Sequence, residues 1–141
     1  MEKLPEFIAN HLFLVSLLVA ITSLLLWNIL AGSIGASQIV PAEATRLINH
    51  ENAEILDLRS TEDFAKGHIL NSVNLVAATL DEKQKELEKY KDKTVILCCN
   101  QGQESVRVAR TLKMKGIEKI YCLKGGIIAW QNANLPLTKN T

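Results

Sequence analysis

Two adjacent cysteines, Cys98 and Cys99, close an apolar run and precede a short polar segment, Asn100, Gln101, Gly102, Gln103 and Glu104. A thiol becomes an effective nucleophile when its surroundings favour the anion. The pattern around this pair supplies such surroundings. Val95 to Leu97 reads as a strand, and the polar segment with Gly102 inside it as a tight loop. From Ser105 onward Val106, Ala109 and Leu112 recur at helical spacing. A cysteine at the carboxyl end of a strand lies where open α/β sheets hold their ligands. It also faces a helix N-terminus, whose free N–H groups favour a thiolate or another anion. Gly102 lets the backbone turn tightly enough to aim further N–H groups at one point.

The rest of the chain has to build a sheet behind this loop. Residues 38–40 read as a short strand. Pro41 suits the first turn of a helix, Glu43 complements its dipole, and Ala44, Leu47 and Ile48 give it an apolar face ending near Asn49. Residues 54–58 form a second strand. Ser60 with Asp63 resembles a capping box, opening a short helix that stops at Gly67. A third strand covers 71–75. Thr79 and Glu82 form another capping box, which predicts a charged helix through Tyr90 with Leu80 and Leu87 turned inward. A fourth strand at 94–98 leads to the helix that ends at Gly116. A fifth strand at 119–123 and a short helix at 127–132 complete the series. Strands alternating with helices predict an α/β fold, a five-stranded largely parallel sheet with helices on both faces.

The chain has 141 residues and a net charge of +1, room for one domain plus an appendage and no argument for nucleic acid. Three cysteines are too few for a disulfide framework, and a bond between neighbours would be strained. Free thiols point to a reducing compartment. No CxxC or His/Cys cluster has metal-ligand spacing, so neither a metal nor another cofactor is expected. The stretch 12–30 is almost entirely Leu, Val, Ile, Phe and Ala, and about 20 such residues in a helix span a bilayer. Ser16, Thr22 and Ser23 can return their hydroxyls to the backbone, while Trp27 and Asn28 at one end and His11 at the other suit an interface. A buried core helix is a poor reading in so small a domain. A signal peptide with Ile34-Gly35-Ala36 at its cleavage site is the closer rival, but the apolar run is long and the leading segment lacks a clear excess of positive charge. The expected division is therefore 1–36 for tail, transmembrane helix and linker, and 37–141 for the soluble domain. Lys3 and Arg46 say little about orientation; the free thiols favour a cytoplasmic domain.

Several segments together resemble the rhodanese domain family. Leu56-Asp57-Leu58-Arg59 is similar to one family strand. Phe64, Gly67-His68-Ile69 and the run from Asn71 to Asn74 are similar to a second segment. Cys99-Asn100-Gln101-Gly102 stands where the active-site loop begins. Leu123-Lys124-Gly125-Gly126 followed by Ala129-Trp130 resembles the family's ending. All four occur in order over the region from Gln38 onward, and the tethered arrangement resembles single-domain, single-pass rhodanese-like proteins of the bacterial inner membrane. The resemblance implies a sulfurtransferase in which Cys99 takes sulfane sulfur from a small donor, holds it as a persulfide and passes it to a thiol acceptor. Asn100, Gln101, Gly102, Gln103, Glu104 and Ser105 would form the anion-binding loop. Asp57, Arg59, Arg107, Gly125 and Gly126 would support it.

The resemblance breaks at Glu104, a loop position that is usually basic in thiosulfate-using members. A carboxylate there suits the helix dipole. At the mouth of an anion site, about 5 Å away and with an effective dielectric near 20, exchanging attraction for repulsion costs a charged donor a few kcal/mol. Arg107, one turn on, is placed to compensate in part. A neutral or protein-borne sulfur donor is the expectation, and a membrane-tethered docking module for a protein partner is the alternative function. Phosphatase or arsenate-reductase chemistry fails on spacing, because Ser105 stands where those loops carry arginine. Cys98 reads as core at a strand end. Cys122 also reads as core, close to Cys98 if their strands pair. His68 reads as part of a structural turn, Asp57 and Arg59 as a turn-fixing pair, and Trp130 as core or pocket edge.

Overall fold

The computed structural model describes residues 2–32 and 36–139. They form two compact units, one on each side of the undescribed stretch. Half of the expected linker at 32–37, with Ile34 and Gly35 of the cleavage-like triplet, lies outside the described residues.

The N-terminal unit holds α1 (Lys3–Asn10) and α2 (Leu12–Gly32). Within α2, the 19 residues Leu12–Leu30 are long and apolar enough to cross a membrane, by length and composition. Ser16 and Thr22 donate their hydroxyls to the carbonyls of Phe13 and Leu18, at 2.8 and 2.9 Å, so neither leaves a polar group loose on the apolar surface. The charges of the first residues hid α1 from the sequence reading; His11, at φ −125° and ψ 39°, ends it.

The second unit is a five-stranded parallel sheet in the order β1-β5-β4-β2-β3. Its strands are β1 (Ser37–Ile39), β2 (Glu54–Asp57), β3 (Val73–Asn74), β4 (Val95–Cys98) and β5 (Ile120–Leu123). Its helices are α3 (Pro41–Glu51), α4 (Thr61–Lys66), α5 (Gln84–Leu87), α6 (Gln103–Met114) and α7 (Gly126–Asn132). Side-chain alternation along the strands makes two cores. Leu56, Val95, Leu97, Ile120 and Cys122 pack with Val108, Ala109 and Leu112 of α6 and Leu87 of α5. Ile55, Ile96, Cys98 and Leu123 pack on the other side with Ala44 and Leu47 of α3 and Ile127 and Trp130 of α7. Helices therefore cover both faces, as the strand–helix alternation requires.

Several local signals act as expected. The Ser60 hydroxyl accepts from the Asp63 N–H at 3.2 Å and starts α4. Gly116, at φ +101°, ends α6 with bonds from its own N–H to Lys113 O and from Ile117 N–H to Leu112 O, a Schellman closure. Two signals are overturned. Residues 79–90 are not one capped helix. Thr79 donates its hydroxyl back to Val76 O at 2.9 Å, closing a 3₁₀ turn at Ala77–Thr79 instead of capping a longer helix. Short-range bonds then carry the chain to α5 and a second 3₁₀ turn at Glu88–Tyr90, with Leu80 and Leu87 buried as their spacing predicts. Cys122 does not neighbour Cys98 across the sheet. It pairs with Leu97, so it shares a core with Cys99, while Cys98 points into the opposite one.

Candidate functional site

β4 delivers Cys99 to the carboxyl edge of the sheet, one residue past the last strand position. Alternation points its side chain to the α6 face, and the Gly102 N–H donates to its Sγ at 3.0 Å. The loop's carbonyls turn the other way. Ile127 N–H donates to Cys99 O at 2.8 Å and Ile128 N–H to Asn100 O at 3.4 Å, both from the start of α7. With these two carbonyls bonded to α7, the Gly102 amide is the loop N–H that reaches the sulfur among the described residues. This approach is the work of Gly126. A Cβ there would stand 2.2 Å from Cys99 O and 2.6 Å from Asn100 O. Gly102 is equally constrained, at φ +94° and with an added Cβ 3.0 Å from Gly125 N.

A cavity of about 290 Å³ opens over the sulfur, lined by Cys99, Asn100, Gln101, Gln103 and Glu104. α6 begins two residues earlier than its apolar spacing indicates, so Gln103 and Glu104 occupy its first turn. Ser105, expected in the loop, is a helical residue with no exposure, and its Oγ has no hydrogen-bond partner among the described residues. Arg107 donates to Glu104 at 3.3 Å, on the surface. Its own hollow is a different one, shared with Asp81 and Thr111, so among the described residues the sulfur cavity has no cationic side chain in its lining.

Asp57 and Arg59 come together as a bidentate pair, the carboxylate buried and the guanidinium part-buried. Arg59 donates from Nε at 3.0 Å and from Nη2 at 2.7 Å to the carboxylate, and Nη2 reaches Gly67 O at 2.7 Å. Burial opposes the guanidinium charge, and the hydrogen bond and proximity of Asp57 outweigh it, holding the Arg59 proton more firmly than usual. Asn74 closes the knot by donating to the main-chain carbonyls of Asp57 and Arg59. His68 is tied as its turn position predicts: Nδ1 lies 2.8 Å from Phe64 O and must be the protonated nitrogen, and the ring stacks on Phe64 at 3.8 Å. Trp130 is core, with Nε1 donating to Pro136 O at 3.1 Å. Cys98 is held neutral: burial, then the Asp57 carboxylate, push its thiol up. Among the described residues no group of three His, Cys, Asp or Glu side chains is gathered to hold a metal. The sequence reading missed Val76, Ala77 and Ala78, which flank the loop beside Asn100 and Glu104; small apolar residues carry no chemical signal of their own.

The family model described as Rhodanese-like domain matches residues 40–133. The chain is 36% identical to the uncharacterized protein YibN of Escherichia coli (strain K12), over 99% of each chain. It is 32% identical to the thiosulfate sulfurtransferase GlpE of Actinobacillus succinogenes, over 72% of this chain and 89% of that one. The solved rhodanese-related protein of Thermoplasma volcanium superposes with a TM-score of 0.66 at 29% identity, covering 74% of this chain and 99% of the other. With the parallel sheet, the cysteine loop at its carboxyl edge and these likenesses together, the chain belongs to the rhodanese-like domain family.

Proposed function

We propose that this chain is a membrane-anchored sulfurtransferase that carries sulfane sulfur as a persulfide on Cys99 and passes it to a thiol acceptor. The observation that carries the reading is the Gly102 N–H on Cys99 Sγ at 3.0 Å, in a loop whose carbonyls are bonded away from the sulfur. The likeness to a thiosulfate sulfurtransferase supports the reaction class. In the first step the Cys99 thiolate attacks the outer sulfur of the donor. The donor's S–S bond breaks, and the leaving group takes the bonding pair. The new persulfide anion sits among the amides of the loop and the start of α6. Asn100, Gln101 and Gln103 rim the cavity. Gly125 and Gly126 hold the loop from behind, and Asp57 with Arg59 fix the neighbouring turn. α2 anchors the domain to the bacterial inner membrane, with the domain on the cytoplasmic side, where thiols stay reduced.

One observation favours a second reading, a tethered docking module. Glu104 puts a carboxylate in the cavity lining where a small anionic donor would enter. Mass spectrometry of the full chain in detergent, after exposure to thiosulfate, polysulfide and organic persulfides, separates the two. The expected result is a gain of one sulfur atom confined to Cys99 and lost in Cys99→Ser. No gain with any donor, while a membrane partner still co-purifies, would leave only the docking function. Glu104→Arg is expected to raise thiosulfate loading by about tenfold or more; no gain would remove the electrostatic account of donor choice. Protease protection in sealed vesicles tests the orientation.

A further inference from the structure

The cavity over Cys99 adjoins a second hollow. Asn100 and Glu104 line both, and the second, also of about 290 Å³, has a wall of Leu58, Val76, Ala77 and Ala78. That wall is apolar, yet its hollow shares Asn100 and Glu104 with the cavity over Cys99, at the carboxyl edge of the sheet. The charges around the hollow are unequal. Glu104 and Asp63 bring carboxylates to its lining. The cation among its lining residues, Arg59, is committed to both oxygens of Asp57 and to Gly67 O. Lys66 approaches Asp63 only to 3.9 Å in an exposed pair, which screens little.

We infer that this hollow holds the body of the thiol that discharges Cys99, and that it selects a compact apolar body with no net negative charge. The inference rests on the persulfide reading of Cys99. In the discharge step the acceptor thiolate attacks the outer sulfur of the Cys99 persulfide. The acceptor's thiol proton passes to that outer sulfur as the thiolate forms; the Cys99 S–S bond breaks, its electron pair returns to Cys99 as the thiolate, and the acceptor leaves as R–S–SH carrying that proton. Glu104 then stands between the two hollows, where an anionic acceptor meets it and a neutral one does not.

The experiment uses the full chain loaded by inorganic polysulfide and freed of excess. Loss of the added sulfur is followed by mass spectrometry with two probe thiols, benzyl mercaptan and mercaptosuccinate. Each thiol is compared with itself across variants, so intrinsic reactivity cancels. Ala78→Trp is expected to slow benzyl mercaptan by about tenfold, because the indole takes the place of the phenyl group. Ala78 is exposed, so the substitution leaves the core alone. Glu104→Gln is expected to raise the ratio of mercaptosuccinate to benzyl mercaptan rates by about fivefold, and Ala78→Glu to lower it by a similar factor. Loading without discrimination, with the ratio unmoved in Glu104→Gln and Ala78→Glu, would overturn the inference and leave the persulfide reading standing. Failure of Cys99 to load would overturn both.

Discussion

Two loops leave the same edge of the sheet from strands whose last residues, Asp57 and Cys98, are register partners. After β2, polar groups satisfy one another. Both Asp57 oxygens accept from Arg59, and the Asp57 carbonyl accepts from Leu75 and Asn74. After β4, polar groups face a cavity. Carbonyls are bonded back to α7, the sulfur receives one N–H, and a serine hydroxyl below the loop has no partner among the described residues. Charge and polarity at a strand end are thus consumed by structure in one loop and left facing a cavity in the other. The difference lies in whether the groups are spent on each other.

The largest expected effect comes from opening the closed loop. Asp57→Ala leaves a part-buried Arg59 without its carboxylate and is expected to destabilise the domain by about 3 kcal/mol or more. Chemical denaturation reads this directly, and a loss below about 1 kcal/mol would mean that water replaces the partner. Next is the support of the open loop. Gly126→Ala combines φ +62° with a Cβ driven into two carbonyl oxygens, and about 2–3 kcal/mol should be lost together with sulfur loading. Gly67→Ala is the control, since a Cβ there meets nothing nearer than Leu137 at 3.5 Å; it should stay within about 1 kcal/mol of the parent. Equal losses at the two glycines would contradict the loop-support argument.

The cores beneath the two faces differ less, and each holds a buried thiol that alkaline pH tests. Burial, then the neighbouring Cys99, push the Cys122 thiol up to about 11 from the usual 9.0. The folded chain therefore keeps a proton that the unfolded chain releases. Its stabilising share is whole below 9.0 and is lost as pH rises through about 11. Cys98, raised by burial and by Asp57, acts in the same direction. Thermal melts across this window should fall for the parent chain and fall less for Cys122→Ala. An identical slope in the variant would assign the alkaline loss to other groups.

Much of this contrast was legible in the residues themselves. β4, its loop and α6 follow from a β-branched run, a glycine and apolar residues at helical spacing. The pairing of Asp57 with Arg59 follows from two charges on a strand end. What was not legible depends on three dimensions. α6 starts at Gln103 because Gly102, with no side-chain cap, turns the chain at φ +94°, and two polar residues there look like loop. The neighbour of Cys122 depends on a register, Leu97 with Cys122, that no local pattern states. The apolar wall beside Glu104 comes from a 3₁₀ turn that two capping residues disguised as a helix start.

The smallest effect tests the open loop most closely. Ser105 has no exposure, and its hydroxyl is bonded to nothing among the described residues. A helical serine usually returns its proton to a carbonyl one turn back, but here that turn is the end of the active loop at 101 and 102, and no such bond forms. An unmade buried hydroxyl bond costs about 1–3 kcal/mol, and alanine is the better helix former. Ser105→Ala should therefore hold or raise stability, by up to about 1 kcal/mol, since the small void it leaves offsets part of the gain. In the β2 loop the equivalent truncation of a satisfied group, Asn74→Ala, should lower stability by about 1–2 kcal/mol. Opposite signs at the two positions, read from denaturation midpoints, would show that one loop is built for the fold and the other holds a group the fold does not use. Equal losses would mean that Ser105 is satisfied in solution and that the two loops differ only in where their cavities lie.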